Sequence, residues 1–213
     1  MSEMDEWVQD ALDLIEWANG DPATSRWAKM RADAGHPQPF GLKYLGIGNE
    51  ERISPEFCER FKYMYERIMK AYPEIIIVGT AGPGSHPGNP DLENGWRLAE
   101  ELGMPIIDEH YYEPRDYFLT SRQYDQYPRD RKTKVYLGEY AAKDKKLIDA
   151  LAEGLYLLHV ERNADIVCMT QGFVHLEDSS DDGVTRVDEF RLAGFRDHMD
   201  GGFVCHTICN GSL

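Results

Sequence analysis

Two glutamates, Glu50 and Glu139, each follow a short apolar run rich in β-forming residues. A carboxylic acid and a carboxylate held close together are what retaining glycoside hydrolysis needs, because one protonates the leaving oxygen and the other attacks the anomeric carbon. The two groups must lie about 5–5.5 Å apart. Their surroundings must keep one protonated and the other ionised. The residue types therefore admit a carboxylate-based hydrolase.

Further polar and aromatic side chains follow the same kind of run. Asn49 precedes the first glutamate, and an amide can bond a sugar hydroxyl beside the reacting carbon. The segment Asp108–Tyr112 follows another apolar run. The rings of Tyr111, Tyr112 and Tyr140 can offer apolar faces to a sugar, and their hydroxyls can orient a carboxylate.

Each of these residues also has a simpler interpretation. Glu50 is followed by Glu51, and a glutamate at a strand end is often a solvated loop charge or a charge at a helix N-terminus. The residues Asp108, Glu109 and His110 also fit a surface turn or half of a metal site. Spacing alone leaves these alternatives open.

The apolar runs recur at the spacing of a parallel α/β fold. Their rough centres are separated by steps of 32, 30, 30 and 30 residues, close to the roughly 30 residues of a βαβ unit. The five predicted strands are Leu42–Ile47, Ile75–Val78, Met104–Ile107, Val135–Leu137 and Ile166–Met169. Two architectures fit this repeat, a doubly wound sheet and a (β/α)8 barrel. Both place their chemistry beyond the carboxyl ends of the strands, where the polar residues stand.

The intervals between the runs carry helical signals. Ser54 and Pro55 are typical of an N-cap and a first helical position, and Gly103 is typical of a C-cap. Four apolar stripes at helical spacing predict helices: Trp7, Val8, Ala11, Leu12, Ile15; Phe57, Phe61, Met64, Ile68, Met69; Leu92, Trp96, Ala99, Leu102; and Leu147, Ile148, Leu151, Leu155, Leu158. The interval Tyr111–Lys134 is polar and poorly periodic, so we expect a long loop with one short helix.

The composition excludes several classes of protein. The chain has 213 residues, 42% of them hydrophobic, and a net charge of −15 that would repel a nucleic-acid backbone. No stretch approaches the roughly 18 apolar residues that span a bilayer.

The acidic N-terminus does not resemble a signal peptide, so we expect a cytoplasmic chain as written. Residues Gly79–Gly84 lack the glycine spacing of a nucleotide loop and predict a turn.

The four cysteines indicate neither a disulfide framework nor a metal site. Cys58 and Cys168 are predicted to be buried thiols. Cys205 and Cys209 lack a CxxC spacing and a second pair. We therefore expect no zinc site at Cys205 and Cys209.

Three segments resemble motifs of the α-L-arabinofuranosidases of glycoside hydrolase family 51. Lys43–Glu50 resembles the acid/base segment, and Val135–Ala142 resembles the nucleophile segment. Between them, Asp108–Tyr112 resembles the strand-six motif of the family. Three motifs in the family's order and spacing are far more specific than the Asn-Glu pair alone, which many retaining barrel glycosidases carry.

The resemblance implies a role for each residue. Glu50 would be the acid/base at the end of barrel strand four, and Glu139 the nucleophile at the end of strand seven. Asn49 would contact the substrate 2-hydroxyl, while His110 and Tyr112 would line the pocket near the nucleophile. The implied reaction removes terminal α-L-arabinofuranosyl groups from arabinose-containing oligosaccharides and polysaccharides with retention. It implies no metal or organic cofactor.

The resemblance covers only part of a barrel. It runs from about Trp7 to Met169 and implies strands four to eight, with strands one to three absent. We therefore predict a partial (β/α)8 glycosidase catalytic domain over residues 1–170. Residues 171–213 form an atypical tail, which we interpret as disordered or as the product of a reading-frame change near Thr170. The parent enzyme would be secreted or periplasmic if an N-terminal signal was lost with the missing strands.

Three other functions remain open. A five-strand arc cannot close a barrel, so the chain could be a truncated, non-catalytic remnant. A metal-dependent barrel hydrolase would use Glu50, Asp108, His110 and Glu139, although a compact histidine-rich ligand pattern is missing. A carbohydrate-binding module would not need two carboxylates at strand ends. Assembly into a homo-oligomer is a further open alternative.

Overall fold

The computed structural model describes residues 3–84, 86–144 and 146–171, together with the backbone of residues 203–204. Its strands form one parallel sheet in the order β5-β4-β3-β2-β1-β6. The strands are β1 (Tyr44–Gly46), β2 (Ile76–Thr80), β3 (Ile106–Glu113), β4 (Lys134–Ala142), β5 (Val167–Thr170) and β6 (Phe203–Val204). All five predicted strands are present.

The order of the strands distinguishes between the two architectures. From β1 to β5, strands that follow one another in sequence are neighbours in the sheet. A doubly wound sheet would instead reverse its order at a switch point. The described part of the chain is therefore a partial α/β barrel, in which side chains alternate between an inner face and an outer, helix-covered face.

Helices fill the intervals as predicted, and two caps confirm the sequence signals. The Oγ atom of Ser54 accepts a hydrogen bond from the Phe57 N–H, and Gly103 takes a left-handed conformation with a φ of 63°. The helices are α1 (Glu3–Asn19), α2 (Arg26–Asp33), α3 (Pro55–Ala71), α4 (Pro90–Leu102), α5 (Arg115–Thr120) and α6 (Leu147–Arg162). None of the helices in the described ranges is long and apolar enough to cross a membrane.

The two faces of the sheet contribute to separate clusters of buried residues. The larger cluster joins the outer face to the helices, with Ile77 and Ile107 among its members. A small inner cluster contains Val78, Ile106 and Tyr136. The inner face thus continues, towards the carboxyl ends of the strands, into the polar side chains of the candidate site.

Strands β3 and β4 are longer than the sequence predicted. Both continue through the polar residues that were expected to follow them, so His110 and Glu139 lie within paired strands rather than in loops. The apolar runs mark only the parts of the strands that are buried between apolar layers. Backbone pairing extends further because each strand has a hydrogen-bonded neighbour.

The interval Tyr111–Lys134 is also more ordered than expected. It begins within β3, contains the predicted short helix as α5, and continues into a 3-10 turn at Gln123–Gln126. Phe118 and Tyr124 are fully buried against α6, where they pack around the ring of Tyr156. Phe118 and Tyr124 therefore belong to the core rather than to a loop.

The apolar stripe predicted on α6 does not belong to the core. Its five members are 50–72% exposed: Leu147, Ile148, Leu151, Leu155 and Leu158. The buried face contains Tyr156 and Val160 together with Glu153, whose carboxylate accepts a hydrogen bond from the Ala142 N–H. The helix carries two apolar faces, and the one that packs also includes polar residues with tertiary partners.

Two further expectations need adjustment. Cys58 and Cys168 are free thiols as predicted, but both are half-buried rather than buried. The tail contributes the unpredicted two-residue strand β6, which pairs in parallel with β1. Apart from Gln171 and β6, the predicted tail over residues 171–213 lies outside the described residues, as do Cys205 and Cys209.

Candidate active site

A turn after β1 carries the first glutamate. Gly48 and Glu50 both have positive φ values, 84° and 57°, and a non-glycine residue in this region is uncommon. The carboxylate of Glu51 accepts a hydrogen bond from the Asn49 N–H across the turn. Local strain of this kind is held in place by surrounding contacts and is frequent at functional sites.

Strands β3 and β4 carry the remaining groups. His110 of β3 lies opposite Glu139 of β4, next to an irregularity in the pairing of the two strands. Asp108, His110 and Tyr112 alternate along β3 and share its inner face, because side chains two residues apart point the same way. The site therefore lies on the inner face, towards the carboxyl ends of the strands.

His110 joins the two glutamates. Its Nδ1 atom lies 3.0 Å from Glu50 Oε1 and 3.7 Å from Glu139 Oε2, while its Nε2 atom lies 3.1 Å from Asp108 Oδ2. The hydroxyl of Tyr112 donates a 2.6 Å hydrogen bond to Glu139 Oε2. Four of the five site residues predicted from the sequence are thus brought together. The fifth, Asn49, precedes Glu50 in the same turn.

The charges around His110 favour its protonated form. Burial alone lowers the His110 pKa. The hydrogen bond and charge of Asp108, the hydrogen bond to Glu50 and the charge of Glu139 outweigh burial and raise this pKa to about 9. Burial also raises the pKa of Asp108, whereas its bonds with His110 and the Gly138 N–H oppose that rise. The pKa of Tyr112 is raised by burial and by its bond to Glu139. At neutral pH a buried cation therefore lies between the two glutamates.

The two glutamates remain accessible from the open side of the sheet. The side chain of Glu50 is 35% exposed and that of Glu139 is 27% exposed, whereas His110 is only 3% exposed. A substrate can therefore reach the carboxylates while the histidine stays behind them.

Three residues considered for the site lie on the outer face instead. Glu109 is fully buried among the helices, where it accepts hydrogen bonds from Trp96 and from the hydroxyl groups of Tyr111 and Tyr127. Tyr111 and Tyr140 are each 2% exposed, so neither can offer a ring face to a sugar. Tyr111 does orient a carboxylate, but it is that of Glu109.

Two residues in the site received no role from the resemblance. The Oδ2 atom of Asp108 lies at hydrogen-bonding distance from His110 Nε2, and the Oδ1 atom of Asp108 accepts a hydrogen bond from the Gly138 N–H. The i, i+2 alternation of a strand would have placed Asp108 on the face of His110, once β3 was known to extend that far. The role of Gly138 depends on pairing between two strands, which no local pattern reveals.

A metal ion is the other species that such a cluster could hold. Glu50, His110 and Glu139 each have a potential ligand atom within 4.8 Å of the others. A metal needs a free lone pair on a neutral imidazole, but both ring nitrogens of His110 face carboxylates at hydrogen-bonding distance. The geometry therefore favours a hydrogen-bonded imidazolium.

The arrangement of these side chains indicates a class of protein. Two accessible carboxylates lie on the inner face of a partial α/β barrel, bridged by a protonated histidine. A pair of carboxyl groups is what a carboxylate-based hydrolase needs for catalysis.

Comparison with known proteins gives the family. Residues 1–130 match the model of the α-L-arabinofuranosidase 1 domain, and the chain belongs to this family. It is 44% identical over 161 residues to an extracellular exo-α-L-arabinofuranosidase of Streptomyces chartreusis. This alignment covers 75% of this chain and 19% of that protein. It is 37% identical to α-L-arabinofuranosidase 2 of Arabidopsis thaliana, over 76% of this chain and 23% of that one. The chain thus spans about a fifth of the length of these relatives.

Solved structures agree with this assignment. An arabinose-bound family 51 α-L-arabinofuranosidase superposes with a TM-score of 0.62 and 25% identity, covering 80% of this chain and 29% of that one. A family 51 enzyme from Bifidobacterium longum superposes with a TM-score of 0.60 over 78% of this chain and 44% of that one. The second shares 18% identity and supports the fold alone.

Proposed function

We propose that this chain carries the catalytic pair of a retaining α-L-arabinofuranosidase, with Glu139 as nucleophile and Glu50 as acid/base. The observation that carries the proposal is the distance between the two carboxylates, which have oxygens within 4.8 Å of each other. Inverting enzymes separate their carboxyl groups by roughly 6.5–9.5 Å to admit a water molecule, whereas retaining enzymes hold them at about 5–5.5 Å.

The reaction then proceeds in two displacements. Glu139 attacks the anomeric carbon and forms an ester as the bond to the leaving oxygen breaks, and Glu50 gives its proton to that oxygen. Glu50, now ionised, takes a proton from a water molecule that attacks the same carbon and releases Glu139. Two inversions give net retention, and both carboxyl groups return to their starting states.

The neighbouring residues support these steps. The Tyr112 hydroxyl holds Oε2 of Glu139, which leaves Oε1 of Glu139 free to attack. The positive charge of His110 stabilises whichever glutamate is ionised at each stage, Glu139 before the attack and Glu50 once Glu139 carries the sugar. Asn49 would bind the substrate 2-hydroxyl, a role supported by its place beside Glu50 in the motif.

The strand numbering and the substrate belong to the same proposal. Strands β1 to β5 would be barrel strands four to eight of the full-length enzyme. Strands one to three of that enzyme would supply the rest of the sugar pocket. The names of the relatives support arabinose-containing oligosaccharides or polysaccharides as substrates. The Streptomyces chartreusis relative is named as extracellular, which supports an exported parent enzyme, whereas the cytoplasmic location of this chain stays a prediction.

A catalytically inactive remnant is the second candidate. Its support is the inner face of the sheet, where Tyr44, Ile76 and Cys168 are only partly buried against the small inner cluster. A closed barrel would cover these side chains with the strands opposite them. The remnant would keep the geometry of the pair without completing a sugar pocket.

Hydrolysis of an aryl α-L-arabinofuranoside separates the candidates. If the wild-type chain hydrolyses this substrate, we expect Glu139→Ala to abolish hydrolysis. Glu50→Ala should affect an activated leaving group less than a poor one, because an activated leaving group needs little protonation. Glu66→Ala, an exposed change on α3, is the matched control and should keep full activity. Full activity in Glu139→Ala would refute the nucleophile, and an inactive but folded wild type would favour the remnant.

A further inference from the structure

The pairing of β3 and β4 contains one extra residue. Leu137 lies opposite Glu109, but the next residue of β3, His110, lies opposite Glu139. Gly138 is thus left without a partner in the register, as in a β-bulge. Such a bulge changes which side of the sheet the following side chains occupy, because side chains alternate with a period of two.

This bulge decides where Glu139 points. Tyr136 belongs to the inner cluster and Leu137 to the outer core. Regular alternation would place residue 139 on the outer face and residue 140 on the inner one. The structure has the reverse, because Glu139 reaches His110 on the inner face and Tyr140 is buried in the outer core. Without the bulge, the proposed nucleophile would face the helices.

Asp108 fills the gap that the bulge leaves. Its Oδ1 atom accepts a 3.0 Å hydrogen bond from the Gly138 N–H, and its Oδ2 atom lies 3.1 Å from His110 Nε2. The approach is so close that a Cβ atom on residue 138 would clash with the carboxylate of Asp108. Any side chain at this position would therefore displace that carboxylate.

We propose that Asp108 is a positioning residue, whose one carboxylate fixes the bulge at Gly138 and orients His110 between Glu139 and Glu50. The consequence for catalysis rests on the proposed function, because it assumes that Glu139 must point inward to attack. The fixing of the bulge and of the histidine rests on the geometry alone.

The chemistry explains why a carboxylate is needed. Both partners of Asp108 are donors, the backbone N–H of Gly138 and the protonated ring of His110. An ionised carboxylate accepts both hydrogen bonds. An asparagine keeps one acceptor and presents a donor to the other partner. Alanine offers neither, so the two substitutions separate the two tasks.

NMR of the full 213-residue chain tests this arrangement. In the wild type we expect both ring nitrogens of His110 to stay protonated at pH 8 and the Gly138 amide to be protected from hydrogen exchange. Asp108→Asn should make His110 neutral at that pH and leave Gly138 protected. Asp108→Ala should in addition speed exchange at Gly138 by roughly tenfold to a hundredfold, as expected for loss of a charge-assisted hydrogen bond.

Glu109→Gln is the matched control, because Glu109 is the next residue of the same strand and its buried carboxylate faces the opposite side. It should move neither signal. A neutral His110 ring in the wild type at pH 8, or a Gly138 amide that exchanges freely, would overturn the proposal even if every variant fails to fold. So would an unchanged ring in folded Asp108→Asn. None of these readouts requires turnover, so they remain interpretable if the proposed nucleophile is wrong.

Discussion

The hydroxyl of Tyr112 donates a 2.6 Å hydrogen bond to Oε2 of Glu139. In a double displacement this bond leaves the other carboxylate oxygen free to attack, and it stabilises the carboxylate when it departs in the second step. Tyr112 also has a simple near-isosteric variant, since phenylalanine removes only the hydroxyl.

Tyr112→Phe should therefore lower kcat for an aryl α-L-arabinofuranoside by about tenfold to a hundredfold, the range expected for one hydrogen bond to a charged group. Steady-state kinetics measures the effect. Tyr65→Phe is the control, because the Tyr65 hydroxyl donates a hydrogen bond to a backbone carbonyl of α4, at Leu102, rather than to the site. Equal kcat values for the two variants would show that the Glu139 contact does not contribute.

The raised pKa of His110 predicts a pH dependence of stability. The pKa in the folded protein is about 9, above the ordinary value of 6.5, so the folded state holds the proton more tightly. The stabilisation is complete below about pH 6.5 and is lost as the pH rises to about 9; it is on the order of 3 kcal/mol. Urea unfolding of wild type and His110→Gln should thus give free energies of unfolding that converge between pH 6 and pH 9. A constant difference between the two would contradict the imidazolium, since the other histidines titrate in both proteins.

The sequence predicts the frame of this site better than its details. The step of about 30 residues locates β1 to β5, and the Ser54 and Gly103 caps bound two helices correctly, because both signals are local. The bulge at Gly138 escapes prediction, because it is a relation between two strands that are 30 residues apart in sequence. Motif resemblance names Glu139 without showing that a bulge must turn it inward.

Helix α6 illustrates a different limit. Five large apolar side chains at helical spacing indicate a buried face, yet Leu151 and its neighbours are exposed. The buried face is chosen by partners elsewhere in the chain, such as the Ala142 N–H that Glu153 binds. Periodicity identifies an amphipathic helix but cannot rank two apolar faces when tertiary contacts select one.

The exposure of that stripe predicts unequal costs of mutation on one helix. Leu151→Gln and Leu155→Gln should each change the free energy of unfolding by no more than about 0.5 kcal/mol, because both side chains are more than half exposed. Val160→Ala, on the buried face, should cost about 2 kcal/mol. Urea titrations followed by circular dichroism give these values. A large loss from either glutamine substitution would mean that the stripe is covered in solution.

Glu109 should matter for stability rather than for chemistry. Its fully buried carboxylate accepts hydrogen bonds from Trp96, Tyr111 and Tyr127, so Glu109→Ala leaves three buried donors without their acceptor. We expect a loss of roughly 3 kcal/mol or more. Glu66→Ala on the exposed surface of α3 should cost almost nothing. Similar losses in the two urea titrations would contradict the buried network.

Covalent trapping tests the central assignment most directly. A 2-fluorinated arabinofuranoside with a good leaving group slows the second displacement more than it prevents the first, so the glycosyl-enzyme accumulates. Trypsin releases residues 135–143 as one peptide, in which Glu139 is the only acidic side chain. We predict that mass spectrometry finds the sugar on this peptide and that Glu139→Gln abolishes the label. Label on residues 44–52, which contain Glu50, or turnover of the unmodified substrate without any adduct, would contradict the assignment of Glu139 as nucleophile.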